Sequence, residues 1–453
     1  MDELATDGRA PARDEVAVGG TVAPGFEGVR EAFAANFAEH GEVGAAFSLV
    51  VDGRTVVDLW GGVADAATGA PYTEDTLQLV FSSTKGATAV CANLLAQRGE
   101  LDVDAPVASY WPEFGGAGKG DIPVRWLLCH KSGLPFVDAP LDLDQLLAWD
   151  PAVEALAAMS PVWQPGTAHG YHAVTYGWLV GEVVRRITGT SLGAFFADEV
   201  AGPLGLDFWI GLPDDQQARV APLTNRGLGR RLAAAAAAPT GTATTAGASP
   251  PAGENPLVDA LGALDGAAAQ PGGDGLGGLA ETISQLLGPD ALLLKALGGS
   301  TALPLVGEGA FNRPDVWAAE LPAANGVTNA RSLARMYAAT IGAVDGSDAG
   351  PLLSPEQVRA ASTTQTSGAD QVLFFETTFG LGFMTSSPFA PYGGPRSFGH
   401  AGAGGSVGFA DPDNGLGFGY VMNRMMTNLS GDPRSRGLVA AVYEAIGVEP
   451  VFV

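Results

Sequence analysis

A serine and a lysine three residues apart are the first candidates for chemistry in this chain. Ser82 follows a short apolar run, 77–81, and Lys85 opens a helical pattern that continues to about Gln97. Residues at this spacing lie on one face of a helix, so the amine can reach the hydroxyl. The pair could act as nucleophile and general base if burial lowers the lysine pKa from about 10.4. The N–H groups at the helix N-terminus could stabilise the oxyanion of an attacked carbonyl.

Two further motifs fit the same chemistry. The first, Tyr171-His172-Ala173, precedes a helical pattern over 176–186 and supplies a phenol that could relay the serine proton to a leaving alcohol. The second, His400-Ala401-Gly402, lies in a Gly-rich segment over 397–409 that alternates like a strand. Alone, S-x-x-K occurs by chance in long chains, and its serine could be a helix N-cap beside a surface lysine. The three motifs together favour the catalytic interpretation.

In this order the motifs resemble the S-x-x-K, Y-x-N and K-T-G signature of the serine β-lactamase and penicillin-binding-protein superfamily. The match is closer to its esterase branch, the family VIII carboxylesterases, and runs from about Gly25 to the C-terminus. The resemblance implies three catalytic residues, Ser82, Lys85 and Tyr171. It also implies three residues that form the oxyanion hole or contact the substrate: Ala403, His400 and Gly402. The main-chain N–H groups of the serine and of the alanine form the predicted oxyanion hole.

Two departures from the superfamily pattern bear on the substrate. Ala173 stands where lactam-processing relatives carry Asn, so the amide that would bind a substrate acyl-amide group is absent. His400 stands where they carry a carboxylate-binding Lys, and a histidine of ordinary pKa is mostly neutral at pH 7. Both changes favour a neutral ester over an anionic β-lactam.

Two G-x-S-x-G segments offer alternative nucleophiles, Ser191 and Ser406. In a nucleophile elbow the serine lies between a strand and a helix. Ser406 is followed by a turn into a second strand and is predicted to lie in an antiparallel hairpin, whereas Ser191 precedes a helical pattern and is predicted to cap it. Neither serine has the context that this chemistry requires.

Composition limits the partners and cofactors. The 453 residues are 46% hydrophobic, enough to bury a large core in two lobes, and the net charge of −25 argues against nucleic acid or an anionic membrane as partner. Residues 1–20 lack the apolar stretch of about 7–15 residues that a signal peptide needs, and no stretch of the sequence approaches the roughly 18 apolar residues of a transmembrane helix, which predicts a cytoplasmic enzyme. His169 and His172 have no third ligand nearby in sequence, and the two cysteines form no disulfide framework. We therefore expect no metal, no other cofactor and a small-molecule ester substrate; the oligomeric state stays open.

The predicted fold class is α+β, β-lactamase-like, with an antiparallel sheet flanked by helices and an inserted, mostly helical lobe. The hydrophobic patterns predict a first helix over 25–39 and a last helix over 433–446. They also predict a hairpin of 45–51 and 55–60 joined by Asp52-Gly53, and strands over 380–384, 397–409 and 416–422. The predicted domains are a flexible arm 1–23, an α/β lobe of 24–114 plus 321–453, and a helical lobe 115–320 that includes the low-complexity insertion 227–254.

The sequence thus predicts a carboxylesterase-type serine hydrolase that cleaves small uncharged esters through an acyl-enzyme on Ser82. An acyltransferase that passes the acyl group to an alcohol or amine is the alternative. A β-lactamase or a D-amino-acid peptidase or amidase ranks lower, and a non-catalytic binding protein ranks lowest because Ser82, Lys85 and Tyr171 are all present. The insertion over 227–310 is either a surface feature or a lid over the acyl pocket.

Overall fold

The computed structural model describes residues 16–224, 292–297, 309–426 and 428–452. Its α-helices are α1 Glu27–Glu39, α2 Thr84–Gln97, α3 Val124–Leu128, α4 Leu143–Leu147, α5 Asp150–Ala158, α6 Thr175–Thr188, α7 Leu192–Phe196, α8 Gly202–Leu204, α9 Leu292–Ala296, α10 Pro314–Ala318, α11 Ala330–Ile341, α12 Pro355–Ser362 and α13 Pro433–Ala445. Its strands are β1 Val18–Val22, β2 Gly44–Val51, β3 Arg54–Asp65, β4 Ala70–Pro71, β5 Gln78–Leu79, β6 Phe208–Trp209, β7 Val327–Thr328, β8 Thr366–Ala369, β9 Glu376–Phe379, β10 Met384–Thr385, β11 Phe398–Ala401, β12 Val407–Asp411 and β13 Leu416–Met422.

One antiparallel sheet joins the N-terminal and C-terminal parts of the chain. Its strands follow the order β1-β3-β2-β13-β12-β11-β10-β9-β8, with β4 paired to β3. The two parts meet where β13 pairs with β2, from Leu416 opposite Val51 to Met422 opposite Ala45. Strands β2 and β3 form the hairpin that Asp52-Gly53 predicts, and both turn residues have positive φ. The predicted fold class is confirmed.

The sheet has a glycine face and an aromatic face because side chains alternate along each strand. A Cβ added to Gly417 or Gly419 would lie 2.4 Å from Ala334 O or 2.7 Å from Ala334 N, so these glycines let helix α11 pack directly on the sheet. Phe418, between them, points the other way and stacks on Phe409 with ring centroids 4.6 Å apart. The close approach of α11 therefore depends on the absence of side chains on one face.

A buried group of charged residues connects the last helix to the turn between β11 and β12. The Arg434 side chain is fully buried, donates to Glu42 Oε2 at 2.7 Å and forms an ion pair with Asp432, also at 2.7 Å. Its Nη2 also donates to the carbonyl of Gly404 at 2.5 Å, and Tyr420 donates its hydroxyl to Glu42. Paired and hydrogen-bonded charges of this kind are costly to break singly.

Some elements differ from the sequence predictions. Strand β1, Val18–Val22, lies inside the predicted arm 1–23 and pairs with β3. The segment 397–409 is two strands with a turn at 402–406, and of the strand predicted over 380–384 only Met384 is in a strand, β10, with 380–383 forming the turn after β9. The low-complexity insertion 227–254 lies outside the described residues. Across the described ranges, no helix combines the length and apolar character needed to cross a bilayer.

Candidate active site

Ser82 lies in a 3₁₀ turn, Phe81–Ser83, directly before α2. Phe81 has a φ of +44°, a conformation that is unfavourable for a side chain of this size and is held by contacts around the turn. Its ring packs edge-on against Phe311 at 4.6 Å, and its carbonyl accepts from Thr84 Oγ1 at 2.5 Å. Thr84 Oγ1 in turn accepts from Gly326 N at 2.8 Å. Contacts distant in sequence therefore fix the position of the serine.

Lys85 is fully buried on the first turn of α2 with its amine beside the serine. Its Nζ lies 3.1 Å from Ser82 Oγ, 2.6 Å from the carbonyl oxygen of Ala173 and 2.9 Å from that of Ala323. Burial lowers the pKa of Lys85 well below its ordinary value. A neutral amine has two N–H donors and one lone pair, so with both carbonyls accepting N–H bonds the lone pair can accept the serine proton.

Tyr171 lies on the other side of the lysine, with the centre of its ring 4.8 Å from Lys85 Nζ. The ring stacks on Phe379 at 6.1 Å and is nearly buried. Burial raises the pKa of the Tyr171 phenol, while its hydrogen bond with the Ser82 side chain acts in the opposite direction. The phenol is therefore protonated at neutral pH and can donate a proton next to Ser82.

The turn between β11 and β12 packs against the Ser82 turn. A Cβ on Gly402 would lie 2.2 Å from Val80 O, so no larger residue fits there without movement, and Gly402 N donates to Ser406 O at 2.7 Å. Ala403 follows and lines the same cavity as Ser82. The structure thus brings together the two residues of the predicted oxyanion hole, and that role stays a prediction.

His400 lies in β11 without lining the cavity. Its Nδ1 is 2.7 Å from the carbonyl oxygen of Ala401, and its buried Nε2 has no hydrogen-bond partner among the described residues. Burial, with a smaller contribution from the charge of Lys85, lowers the pKa of His400 to about 3, so the ring is neutral at pH 7. Gly402 also does not line the cavity. Direct substrate contact by His400 and Gly402 stays a prediction.

The cavity over Ser82 has a volume of about 80 Å³ and opens to solvent. Its lining is largely apolar: Phe81, Ser82, Tyr171, Ala173, Val174, Leu297, Phe311, Ala324, Leu373, Met384, Phe389, Ala403 and Leu429. Among these described residues no side chain is acidic or basic. The cavity suits an uncharged, apolar group attached to the atom that Ser82 attacks.

The serines of the two G-x-S-x-G segments have structural roles. Ser191 caps α7, accepting from Ala194 N at 3.2 Å, and donates to Glu320 Oε1 at 2.5 Å. Ser406 is buried, donates to Val80 O at 2.8 Å and lies 3.1 Å from Ser83 Oγ. The predicted cap at Ser191 is confirmed, and Ser406 connects β12 to the turn that carries Ser82.

Three histidines support Tyr171 through hydrogen bonds and ring contacts. His172 Nδ1 donates to Gly170 O at 2.7 Å, and its Nε2 accepts from Leu134 N at 3.1 Å, so both ring nitrogens are used. His169 Nε2 lies 3.0 Å from Thr377 Oγ1. His130 accepts from His172 N at Nδ1, and its ring lies 5.0 Å from that of Tyr171. The His169 contact is with a residue 208 positions away, and the role of His130 was not predicted.

Asp370 is a second residue near the site that sequence reasoning missed. Its carboxylate is buried beneath Tyr171 and accepts that residue's backbone N–H at 3.0 Å. The two residues are 199 positions apart, so no local spacing or motif could have indicated the contact. Within the described ranges, no group of three or more His, Cys, Asp or Glu residues is arranged to hold a metal.

Comparisons with known proteins agree with this geometry. The model of the Beta-lactamase family matches residues 29–442. The chain is 35% identical over 417 residues to "Esterase/beta-lactamase LipL" of Mycobacterium tuberculosis (strain ATCC 25618 / H37Rv). The matched region covers 90% of this chain and 84% of that protein.

Two solved structures match nearly the whole fold. A family VIII carboxylesterase has a TM-score of 0.75 and 35% identity and covers 95% of this chain and 100% of its own. EstA from Arthrobacter nitroguajacolicus Rue61a has a TM-score of 0.75 and 33% identity, with coverages of 94% and 98%. The antiparallel sheet with its flanking helices is therefore a β-lactamase-like fold. The chain belongs to the beta-lactamase family and is an enzyme of the serine hydrolase type.

Proposed function

We propose that the protein hydrolyses small, uncharged carboxylic esters through an acyl-enzyme on Ser82. The observation that carries this proposal is the buried Lys85 amine, 3.1 Å from Ser82 Oγ and also directed at two backbone carbonyls. Burial lowers the pKa of Lys85 well below its ordinary value, which favours the neutral amine that a general base requires.

In the proposed acylation, Ser82 Oγ attacks the ester carbonyl carbon and its proton passes to Lys85 Nζ. The carbonyl oxygen becomes an oxyanion, which the N–H groups of Ser82 and Ala403 stabilise. The bond from carbon to the alcohol oxygen then breaks, and the alcohol oxygen takes a proton from Tyr171, which regains one from Lys85. In deacylation water replaces the alcohol and the same groups act in reverse.

The substrate class follows from the lining of the cavity. None of the described lining side chains is charged, Ala173 has no amide to offer, and His400 is neutral and does not line the cavity. An anionic β-lactam carboxylate would lose its hydration here without gaining a cationic partner. The similar proteins named as esterases support an ester as substrate.

Acyl transfer is the second candidate, and the apolar lining favours it. An alcohol can bury its apolar part in a cavity lined by residues such as Phe311 and Leu373, whereas water gains nothing from that contact. Measuring ester product against free acid in the presence of a primary alcohol separates the two outcomes. A transfer fraction no greater than that of the uncatalysed reaction would eliminate this candidate.

The proposed function is tested by comparing two substrate classes on one enzyme. We expect kcat/KM for p-nitrophenyl esters of short acids to exceed that for a penicillin or cephalosporin by at least about a hundredfold, equivalent to about 2.7 kcal/mol. A phosphonate reagent should add its mass to the peptide containing Ser82, and Ser82→Ala should lose both labelling and turnover. Comparable values for both classes would contradict the substrate assignment, and turnover by Ser82→Ala would contradict the mechanism.

A further inference from the structure

A single buried carboxylate oxygen holds both the tyrosine of the site and one wall of the cavity. Asp370 Oδ1 accepts backbone N–H bonds from Tyr171 at 3.0 Å, from Val372 at 2.8 Å and from Leu373 at 2.9 Å. Its Oδ2 accepts from the Thr377 hydroxyl at 3.1 Å. Tyr171 and Leu373 both line the cavity over the serine. One side chain thus sets the distance between two parts of the site.

The tyrosine has no regular secondary structure to hold it. It lies between α5, which ends at Ala158, and α6, which begins at Thr175. The neighbouring N–H groups are anchored by a different residue, since Gly170 N and His172 N donate to the carbonyl and the ring of His130. The N–H of Tyr171 is anchored by Asp370. Displacement of this contact would shift the tyrosine along the cavity wall.

The chemistry of the carboxylate also fits a role toward the phenol. Its side chain is fully buried, and among the described residues the nearest basic group is the His169 ring, 4.0 Å away, whose pKa burial lowers. Burial has the largest effect in raising the pKa of the Tyr171 phenol, and the charge of Asp370 raises it further. The phenol beside Asp370 is therefore in its protonated form, the form that a proton donor requires.

We propose that Asp370 is a positioning residue that places Tyr171 for protonation of the leaving alcohol; this inference rests on the proposed roles of Ser82 and Tyr171. When the tetrahedral intermediate collapses, the electron pair of the breaking carbon–oxygen bond goes to the alcohol oxygen. An alkyl alcohol needs a proton from Tyr171 at that moment. A p-nitrophenolate leaves as a stable anion and needs none. Loss of Asp370 should therefore slow the hydrolysis of alkyl esters more than the hydrolysis of p-nitrophenyl esters.

The test compares ethyl butyrate with p-nitrophenyl butyrate, which give the same butyryl-enzyme, so that kcat/KM reports acylation for both. We expect Asp370→Ala to lower kcat/KM for ethyl butyrate by at least about tenfold more than for p-nitrophenyl butyrate, and Tyr171→Phe to do the same. The double variant should lose little more than Tyr171→Phe alone, because both changes remove one function. Asp370→Asn keeps an oxygen acceptor, so its ratio of kcat/KM for ethyl butyrate to that for p-nitrophenyl butyrate should be close to that of the unsubstituted enzyme.

Asp411 supplies a matched control. Its carboxylate is also fully buried and accepts from a backbone N–H, that of Asp413 at 3.0 Å, and from the Tyr443 hydroxyl at 2.5 Å. It does not line the cavity. Asp411→Ala should therefore leave the ratio of the two esters unchanged, whatever it does to stability.

Equal losses on both esters for Asp370→Ala would overturn the inference, since a general loss of structure does not distinguish leaving groups. If Asp370→Ala yields no folded protein, Asp370→Ser takes its place in the same comparison, and failure of both to fold also overturns the inference in favour of a role in folding. Turnover by Ser82→Ala would instead refute the proposed function. The inference alone is refuted by one combination of results: Ser82→Ala is inactive, Tyr171→Phe loses more activity on ethyl butyrate than on p-nitrophenyl butyrate, and Asp370→Ala loses the same activity on both.

Discussion

Replacing Lys85 with methionine separates its chemical role from its structural one. Methionine is unbranched and of similar length, so it can fill the space without its amine. The change removes the group 3.1 Å from Ser82 Oγ and the donor to Ala173 O and Ala323 O. A positioned general base contributes about 10²–10⁴-fold to rate, so kcat for p-nitrophenyl butyrate should fall by that factor.

The structure provides a control with the same structural loss. Lys119 is also fully buried, and its Nζ donates to Ala157 O at 2.9 Å and Met159 O at 2.5 Å. Leaving each carbonyl without its donor costs about 1–3 kcal/mol, partly offset by the apolar side chain, so Lys85→Met and Lys119→Met should lose similar stability. Only Lys85→Met should lose activity.

The assay is steady-state hydrolysis with the number of active sites determined by phosphonate titration, and urea unfolding measures stability. Titration keeps partial unfolding from being counted as slow chemistry. The assignment of Lys85 as general base is wrong if Lys85→Met keeps more than about a tenth of kcat, or if Lys119→Met loses as much.

Four other outcomes follow from the site and the sheet. kcat/KM should rise with pH through the lowered pKa of Lys85, and a profile that is flat between pH 5 and about 9 would contradict a lysine base. Tyr171→Phe should lower kcat for ethyl butyrate at least about tenfold, measured at saturating ester. Burial lowers the pKa of His172 and His400 to about 3, so below about pH 6.5 the unfolded chain binds protons that the folded chain does not. The free energy of unfolding, measured with urea, should therefore fall as the pH is lowered from about 6.5 to about 3. A free energy of unfolding that does not change with pH would refute this. Gly419→Ala should lower the melting temperature, because its Cβ would lie 2.4 Å from a backbone oxygen of α11.

The sequence predicts best what is local. Ser82 and Lys85 are one helical turn apart, and the hairpin at Asp52-Gly53 needs only its own turn, so both could be recognised from spacing and residue type. Strand β13 alternates glycine with larger residues, and its observed bounds match the predicted 416–422. In each case the information lies within a few neighbouring residues.

What the sequence did not predict depends on contacts between distant segments. Asp370 is one aspartate among many until the fold places it under Tyr171, and His130 gains its role only beside His172. The turn at 402–406 interrupts a segment that alternates like one strand, since the turn is set by packing against Val80. Strand β1 is short and Gly-rich and is a strand because β3 pairs with it.

The buried ion pairs of Arg434 have a consequence for the enzyme during its synthesis. Arg434 holds the carbonyl of Gly404, next to the proposed oxyanion donor Ala403, yet the ribosome adds it about 350 residues after Ser82. At about 5–20 residues per second, the nucleophile and its base exist for roughly 20–70 s before that support is made. A nascent chain therefore carries Ser82 and Lys85 without a completed oxyanion turn. We therefore expect a chain that ends before Arg434 to be acylated at Ser82 more slowly than the full chain.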